Sequence, residues 1–305
     1  MASSYVLIND LRFHYLHWNQ DGAGPPVVLL HGLASNARIW ELVAPYLVER
    51  DLIVLAPDLR GHGLTDKPEG GYGFDMMTQD LAACLDACHV EKPVLVGHSW
   101  GGSVALDYAA RFGIGPRAPA GLVLVDGGMT QLNDAADGAQ PPTWEEVRQR
   151  LAPPRLAGMR LDEFLKILSE GRNGWRPDDQ SIPIILANFE VYEDEEEGVE
   201  KIRPHLSYQH HMQIVRAMWE FPTYQKFDRI HCPVLMVPAR PPQPFGEREQ
   251  RFLEAKQRGV RQARQRIGDL QVHWMEDSIH DIPLQHPAGL AAELAGFATE
   301  VAGNG

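Results

Sequence analysis

The stretch Pro93-Val94-Leu95-Val96-Gly97-His98-Ser99-Trp100-Gly101-Gly102 decides how this chain is read. A β-branched apolar run feeds a Gly-x-Ser-x-Gly pattern, and a helix-like segment, Ser103 to Arg111, follows at once. Strand, sharp turn and helix in that order are the setting a nucleophile elbow needs. The turn forces an unusual backbone on the serine, and Gly97 and Gly101, lacking Cβ atoms, let strand and helix approach closely. Ser99 Oγ then stands clear of the backbone, at a helix N-terminus whose dipole favours developing negative charge.

Outward from this point the pattern alternates. Tyr5 to Ile8 and Leu11 to Trp18 read as an opening hairpin with Asn9-Asp10 as its turn. Val27 to Leu30, Leu52 to Ala56, Val94 to Val96 and Leu122 to Val125 are continuous apolar strands, as expected for a sheet covered on both faces. Ile39 to Val48 and Met76 to Cys88 have helical spacing between them. Strands alternating with helices predict an α/β fold with a doubly wound, mostly parallel sheet. The alternation stops after Gly128; from about Met129 to Phe227 the chain reads as helix and loop, rich in Trp, Met, Glu and Pro. It resumes with the strand Cys232 to Pro238, a helix from Glu247 to Gln257, a strand at Leu270 to Met275 and a last helix from Pro287 to Val301.

Bulk composition narrows the function. The chain has 305 residues, 44% hydrophobic and 23% charged, which suffices for a sizeable core. A formal charge of -13 argues against a nucleic-acid partner, since phosphate binding needs clustered Lys and Arg. The block Glu193-Asp194-Glu195-Glu196-Glu197 reads as a solvated helix end or loop. Of the three cysteines, Cys84 and Cys88 share a helix face in a spacing poor for a disulfide, which suits buried thiols in a reducing compartment. Asn9, Asp10 and Arg12 interrupt any N-terminal apolar run, and no stretch approaches a membrane span. The expectation is a cytoplasmic protein without a membrane partner. No Cys/His spacing suggests a metal, and His210-His211 is an isolated pair.

Further motifs stand in a telling order. His31-Gly32-Leu33 follows one apolar run, Asp58-Leu59-Arg60-Gly61-His62-Gly63 follows the next, and Ser278-Ile279-His280-Asp281-Ile282-Pro283 follows the strand at Leu270. Together with the elbow they resemble the α/β-hydrolase superfamily over most of the chain. The resemblance implies an α/β-hydrolase core at residues 1–128 and 228–305. It also implies a helical cap at 129–227, inserted after the sixth strand and over the site. Trp144, Trp175, Phe189, Tyr192, Met212, Met218, Trp219 and Phe221 then belong to the cap's apolar interior.

Serine is a poor nucleophile at neutral pH and needs a base near its working pKa, which favours histidine. Of thirteen histidines, His280 lies in the loop between the last strand and the last helix, where the resemblance places the base. The backbone amides of Leu33 and Trp100 are implied as the oxyanion hole. The acid is where the chain departs from the family. The usual position, a few residues past the seventh strand, falls on Pro242, which has no carboxylate. Asp126, at the end of the sixth strand, is the favoured replacement and Glu247 the alternative. Each has an ordinary role too, a turn aspartate and an acidic first-turn residue of a helix.

The resemblance implies a serine hydrolase acting on a small-molecule carboxylic ester or lactone, with no cofactor. Serine at the elbow argues against dehalogenases and epoxide hydrolases, which carry aspartate there. An amidase or peptidase, an acyltransferase and a carbon–carbon bond hydrolase use the same triad. A ligand-binding receptor on the hydrolase scaffold is the rival from outside enzymology.

Overall fold

Asn9 and Asp10 take positive φ, 51° and 62°, as a two-residue hairpin turn requires. In a computed structural model that describes residues 1–135, 140–171, 174–244 and 246–303, they join β1 (Ala2–Ile8) to β2 (Leu11–Trp18). The pair is antiparallel, closing at Ile8 opposite Leu11. β3 (Pro26–Leu30), β4 (Ile53–Pro57), β5 (Val94–His98) and β6 (Gly121–Val125) follow. After β7 (Met159–Arg160), β8 (Phe189–Asp194) and β9 (Val199–Pro204), the chain returns with β10 (Val234–Val237) and β11 (Leu270–Val272).

The main sheet runs β1-β2-β4-β3-β5-β6-β10-β11. β2 meets β4 antiparallel, and every pairing from β4 to β11 is parallel. The apolar runs are continuous because alternate residues feed two cores. Val27, Leu29, Val96, Val123 and Val237 face one way, onto Leu47, Leu290 and Leu294 of the helices Ala44–Val48 and Pro287–Gly303. Val28, Leu30, Leu95, Leu122 and Met236 face the other, onto Leu81, Val104 and Val260 of the helices Phe74–Ala87, Trp100–Phe112 and Glu247–Arg266. Each such side chain contributes about 1.5–3 kcal/mol when fully buried, so this sheet is stiff enough to hold a demanding turn at its edge.

The inserted stretch is not purely helical, which corrects the expectation above. β7, β9 and β8 form a three-stranded antiparallel sheet beside its helices. The acidic block hid this hairpin from a reading by polarity. Phe189 to Asp194 is half-buried at Phe189, Tyr192 and Asp194 and exposed between them, and the chain turns back at Gly198, φ 65°. Asp194 and Glu197 then share one counter-charge, Lys201, at 2.8 and 2.6 Å. The insert docks on loops that leave the C-terminal ends of β3 and β4. Asn36 Nδ2 donates to Asn188 Oδ1 at 2.7 Å, and the Tyr72 ring stacks on His210 at 4.6 Å. That is the edge at which Ser99 emerges. Two other boundaries shift: the helix expected to end at Gln257 runs to Arg266, and Ile39 to Val48 splits into a 3-10 turn, Ala37–Trp40, and the helix Ala44–Val48.

Close approach at the elbow depends on Gly97. A Cβ there would stand 2.5 Å from Gly102 Cα and against the Gly101 carbonyl, both backbone and unable to yield. Gly97→Ala is therefore expected to destabilise the fold by about 1–3 kcal/mol, read as a lower urea midpoint at unchanged m-value.

Candidate active site

Ser99 is the hinge between β5 and the helix Trp100–Phe112, at φ 55° and ψ −123°. A non-glycine residue there is strained, at a cost of order 1–3 kcal/mol. Two backbone hydrogen bonds hold it: Ser99 N–H donates to Val125 O at 3.0 Å, and Gly102 N–H to Ser99 O at 3.0 Å.

The structure brings Ser99, His280 and Asp126 into one line from three strand ends. The Ser99 hydroxyl lies 2.8 Å from His280 Nε2. On the far side of the ring, Nδ1 lies 2.6 Å from Asp126 Oδ2. A carboxylate only accepts, so Nδ1 carries the proton and Nε2 presents its lone pair to the serine. Asp126 takes φ 43°, its N–H donating to Val237 O at 3.0 Å, which aims the side chain across the end of β10. Glu247 is not brought in. Its side chain is 93% exposed at the start of its helix and faces Arg251 at 3.3 Å.

Pro242 supplies no acid, but its loop serves as scaffold. Ala239 N–H donates to Asp126 Oδ1 at 2.8 Å, Arg240 N–H to Met275 O at 2.9 Å, and Ser278 N–H to Arg240 O at 2.8 Å. The loop after β10 thus ties the carboxylate to the segment that carries His280. Gln285 closes that segment by accepting from Ile279 N–H at 2.6 Å and donating to Asp277 O at 3.1 Å.

Charge is arranged around the line. Burial opposes ionisation of Asp126, but the Lys256 ammonium, 2.7 Å from Oδ1, and then the His280 ring outweigh it and hold the carboxyl well below the usual range. Lys256 carries no motif and was missed in the sequence. For His280, the partial loss of water around a half-exposed ring disfavours the imidazolium, yet the hydrogen bond and charge of Asp126, with Asp281 adding, raise its pKa above the ordinary value. His98 is the opposite case. Burial, then the neighbouring His280 ring at 4.9 Å, push it down to about 4, so it stays neutral. Its place in the elbow suggests a turn-orienting role; its Nε2–H instead donates to the His280 carbonyl at 2.8 Å and fixes the histidine loop.

The loop after β3 and the start of the helix Trp100–Phe112 both border the serine. Gly32 faces Ser99 so closely that a Cβ on it would lie 3.1 Å from the serine Cβ and 3.6 Å from Oγ. His31 braces that loop: Nδ1–H donates to Gly32 O at 2.8 Å, and Nε2 accepts from Leu59 N–H at 3.0 Å. Trp100 opens the helix after Ser99, its buried indole stacked on His62 at 5.1 Å. In the insert, His211 Nε2–H donates to Leu151 O at 3.1 Å, a structural use. Trp144 and Trp219 both contact the Arg216 guanidinium, at 4.9 and 4.6 Å. Among the described residues, no helix is long and apolar enough to cross a membrane.

An NMR titration of the ring protons separates the two neighbouring histidines, with His280→Gln and His98→Phe as assignments. His280 is expected to titrate above the ordinary histidine midpoint of about 6.5, and His98 near 4. A His98 midpoint at the ordinary value would remove the account of how it stays neutral beside His280.

A profile of the Alpha/beta hydrolase family matches residues 27–293. The chain is similar to lipase LipV of Mycobacterium tuberculosis, 33% identical over 178 residues, covering 53% of this chain and 66% of that one. It is similar also to 2-hydroxy-6-oxo-2,4-heptadienoate hydrolase of Pseudomonas putida, 39% over 122 residues, covering 38% and 43%. Matched stretches span from about a third to about two thirds of the curated relatives' own length. Among solved structures, bromoperoxidase from Bacillus anthracis superposes with a TM-score of 0.72 over 98% of this chain and 100% of that one, at 20% identity, a likeness of fold alone. With the family profile spanning β3 to the last helix, this chain belongs to the Alpha/beta hydrolase family.

Proposed function

We propose that the chain is a serine hydrolase that cleaves a small carboxylic ester or lactone through an acyl-enzyme on Ser99. The observation that carries this reading is the unbroken line from Ser99 Oγ through the His280 ring to Asp126 Oδ2, at 2.8 and 2.6 Å. As Oγ attacks the carbonyl carbon, Nε2 takes its proton, and the buried carboxylate stabilises the imidazolium that forms. Charge moves to the carbonyl oxygen, which accepts from the Leu33 and Trp100 amides. His280 then gives the proton to the leaving alkoxide, and water repeats the sequence on the acyl-enzyme. Residues 129–227 act as a cap over this edge, and the three free cysteines fit a cytoplasmic setting.

Carbon–carbon bond hydrolysis is the second reading, favoured by the resemblance to the Pseudomonas putida hydrolase. Both reactions use the same serine line, and they differ in whether the leaving group is an alkoxide or a carbanion.

Turnover of p-nitrophenyl esters from short to long acyl chains tests the first reading. Ser99→Ala is expected to lower kcat about a million-fold, and Asp126→Asn about ten-thousand-fold, while Glu247→Gln leaves it near wild type. Because His280 must be neutral to act as base, kcat/KM is expected to fall as pH drops through a midpoint above that of ordinary histidine. Absent ester turnover, with cleavage of a 2-hydroxy-6-oxo-2,4-dienoate instead, would replace the first reading by the second.

A further inference from the structure

Asp126 has two oxygens, and only Oδ2 faces His280. Oδ1 meets the Lys256 ammonium at 2.7 Å and the Ala239 N–H at 2.8 Å, and Lys256 Nζ also donates to the Ala239 carbonyl at 2.8 Å. Lys256 thereby brackets the ends of β6 and β10 from the helix Glu247–Arg266. The helix comes close enough because residue 259, less than one turn further on, is glycine. A Cβ there would overlap the carbonyl oxygen of Met129, three residues past Asp126. The Lys256 side chain is 14% exposed, against 1% for Asp126. An ammonium so withdrawn from water needs a close partner to offset its lost hydration, unlike the exposed ion pairs on the same helix.

We propose that Lys256 is a positioning residue of the catalytic line, which fixes the Asp126 carboxylate against His280 and shares its charge. This rests on the serine-hydrolase reading. The charged and titratable groups facing His280 are Asp126 from β6, His98 from β5, Asp281 from its own loop and, behind Asp126, Lys256 from the helix. The two carboxylates favour the imidazolium, His98 stays neutral, and burial and the Lys256 charge oppose it. Without Lys256 no positive charge opposes the carboxylates, so the imidazolium persists to higher pH and the base is lost sooner as pH falls. Lys256 thus trades some stabilisation of the charged ring for a base that is lost at lower pH than the carboxylates alone would allow.

The test compares wild type, Lys256→Met and Lys256→Arg with a fluorophosphonate probe between pH 5 and 9, alongside NMR titration of His280. Ser99 Oγ forms a bond to phosphorus, fluoride leaves, and the serine proton passes to His280, so the labelling rate reports the base without needing the natural substrate. In Lys256→Met, the rate at pH 6, as a fraction of its alkaline plateau, is expected to fall about three- to tenfold below the wild-type fraction. The His280 midpoint moves to higher pH with it, and Lys256→Arg restores both. A lysine that merely supports the fold would lower the plateau and leave the profile's shape alone; superimposable profiles and midpoints would overturn the proposal. Should Lys256→Met not fold, Lys256→Gln gives the same comparison. Wild type that folds but is not labelled at Ser99 would sink the hydrolase reading, and the His280 midpoints would still decide the role of Lys256.

Discussion

Everything at this site hangs on the backbone of Ser99. A residue with a side chain held at φ 55° and ψ −123° spends free energy of order 1–3 kcal/mol, and nothing in the local sequence except neighbouring glycines makes that conformation easier. The offset comes from the sheet. β5 is buried along its whole length between β3 and β6, and the helix after the serine is buried along its inner face. Strand and helix are each fixed by their own packing, so the residue between them has one way to connect them. The same packing gives the hydroxyl a fixed position, and fixed position is what makes a 2.8 Å approach to a histidine from a distant loop useful.

Electrostatics around that approach is built in layers. Nearest is the Asp126 carboxylate, almost wholly buried, which holds the His280 tautomer and favours its charged form. Behind it, Lys256 and the Ala239 amide occupy the other oxygen, so a buried charge is left neither unpaired nor free to rotate. Beside it lies His98, a second imidazole kept neutral by burial and used as a hydrogen-bond donor. The His280 side chain itself is 52% exposed, so the ring is held by its partners and its carbonyl more than by enclosure. The inserted stretch docks through polar and aromatic contacts, Asn36 with Asn188 and Tyr72 with His210, on the loops after β3 and β4.

The sequence made a large part of this legible. Continuous apolar runs of four or five residues, separated by helical spacing, specify a buried parallel sheet, because only strands covered on both faces lack alternation. Gly-x-Ser-x-Gly between such a strand and a helix locates Ser99, and the loop after the last strand locates His280. These are local facts, written in consecutive residues. The hairpin β8–β9 was not legible, because its acidic turn looks like any solvated loop until Lys201 is seen to gather the charge. Nor was the length of the helix from Glu247, whose polar sequence conceals the buried Leu253, Val260 and Ala263.

Between Asp126 and Glu247 the sequence favoured the first without excluding the second, and the tertiary structure placed only Asp126 beside His280. Both are carboxylates shortly after, or well before, a proline-rich loop, and nothing in their neighbours reveals direction. Direction comes from the register of β6 beside β10, which pairs Val125 with Val237 and so lets Asp126 bond the Val237 carbonyl and the Ala239 amide, and from the first turn of a helix that leaves Glu247 in solvent. Lys256 is the extreme case: an unremarkable residue in a charged helix, it meets Asp126 only because Gly259 lets that helix approach Met129. The sequence by itself determined the strands and helices of the main sheet and the two residues that sit in local motifs. Which distant side chains complete the line was decided by how sheet and helix pack, since contacts between residues over a hundred positions apart depend on the approach of whole elements and leave no local trace.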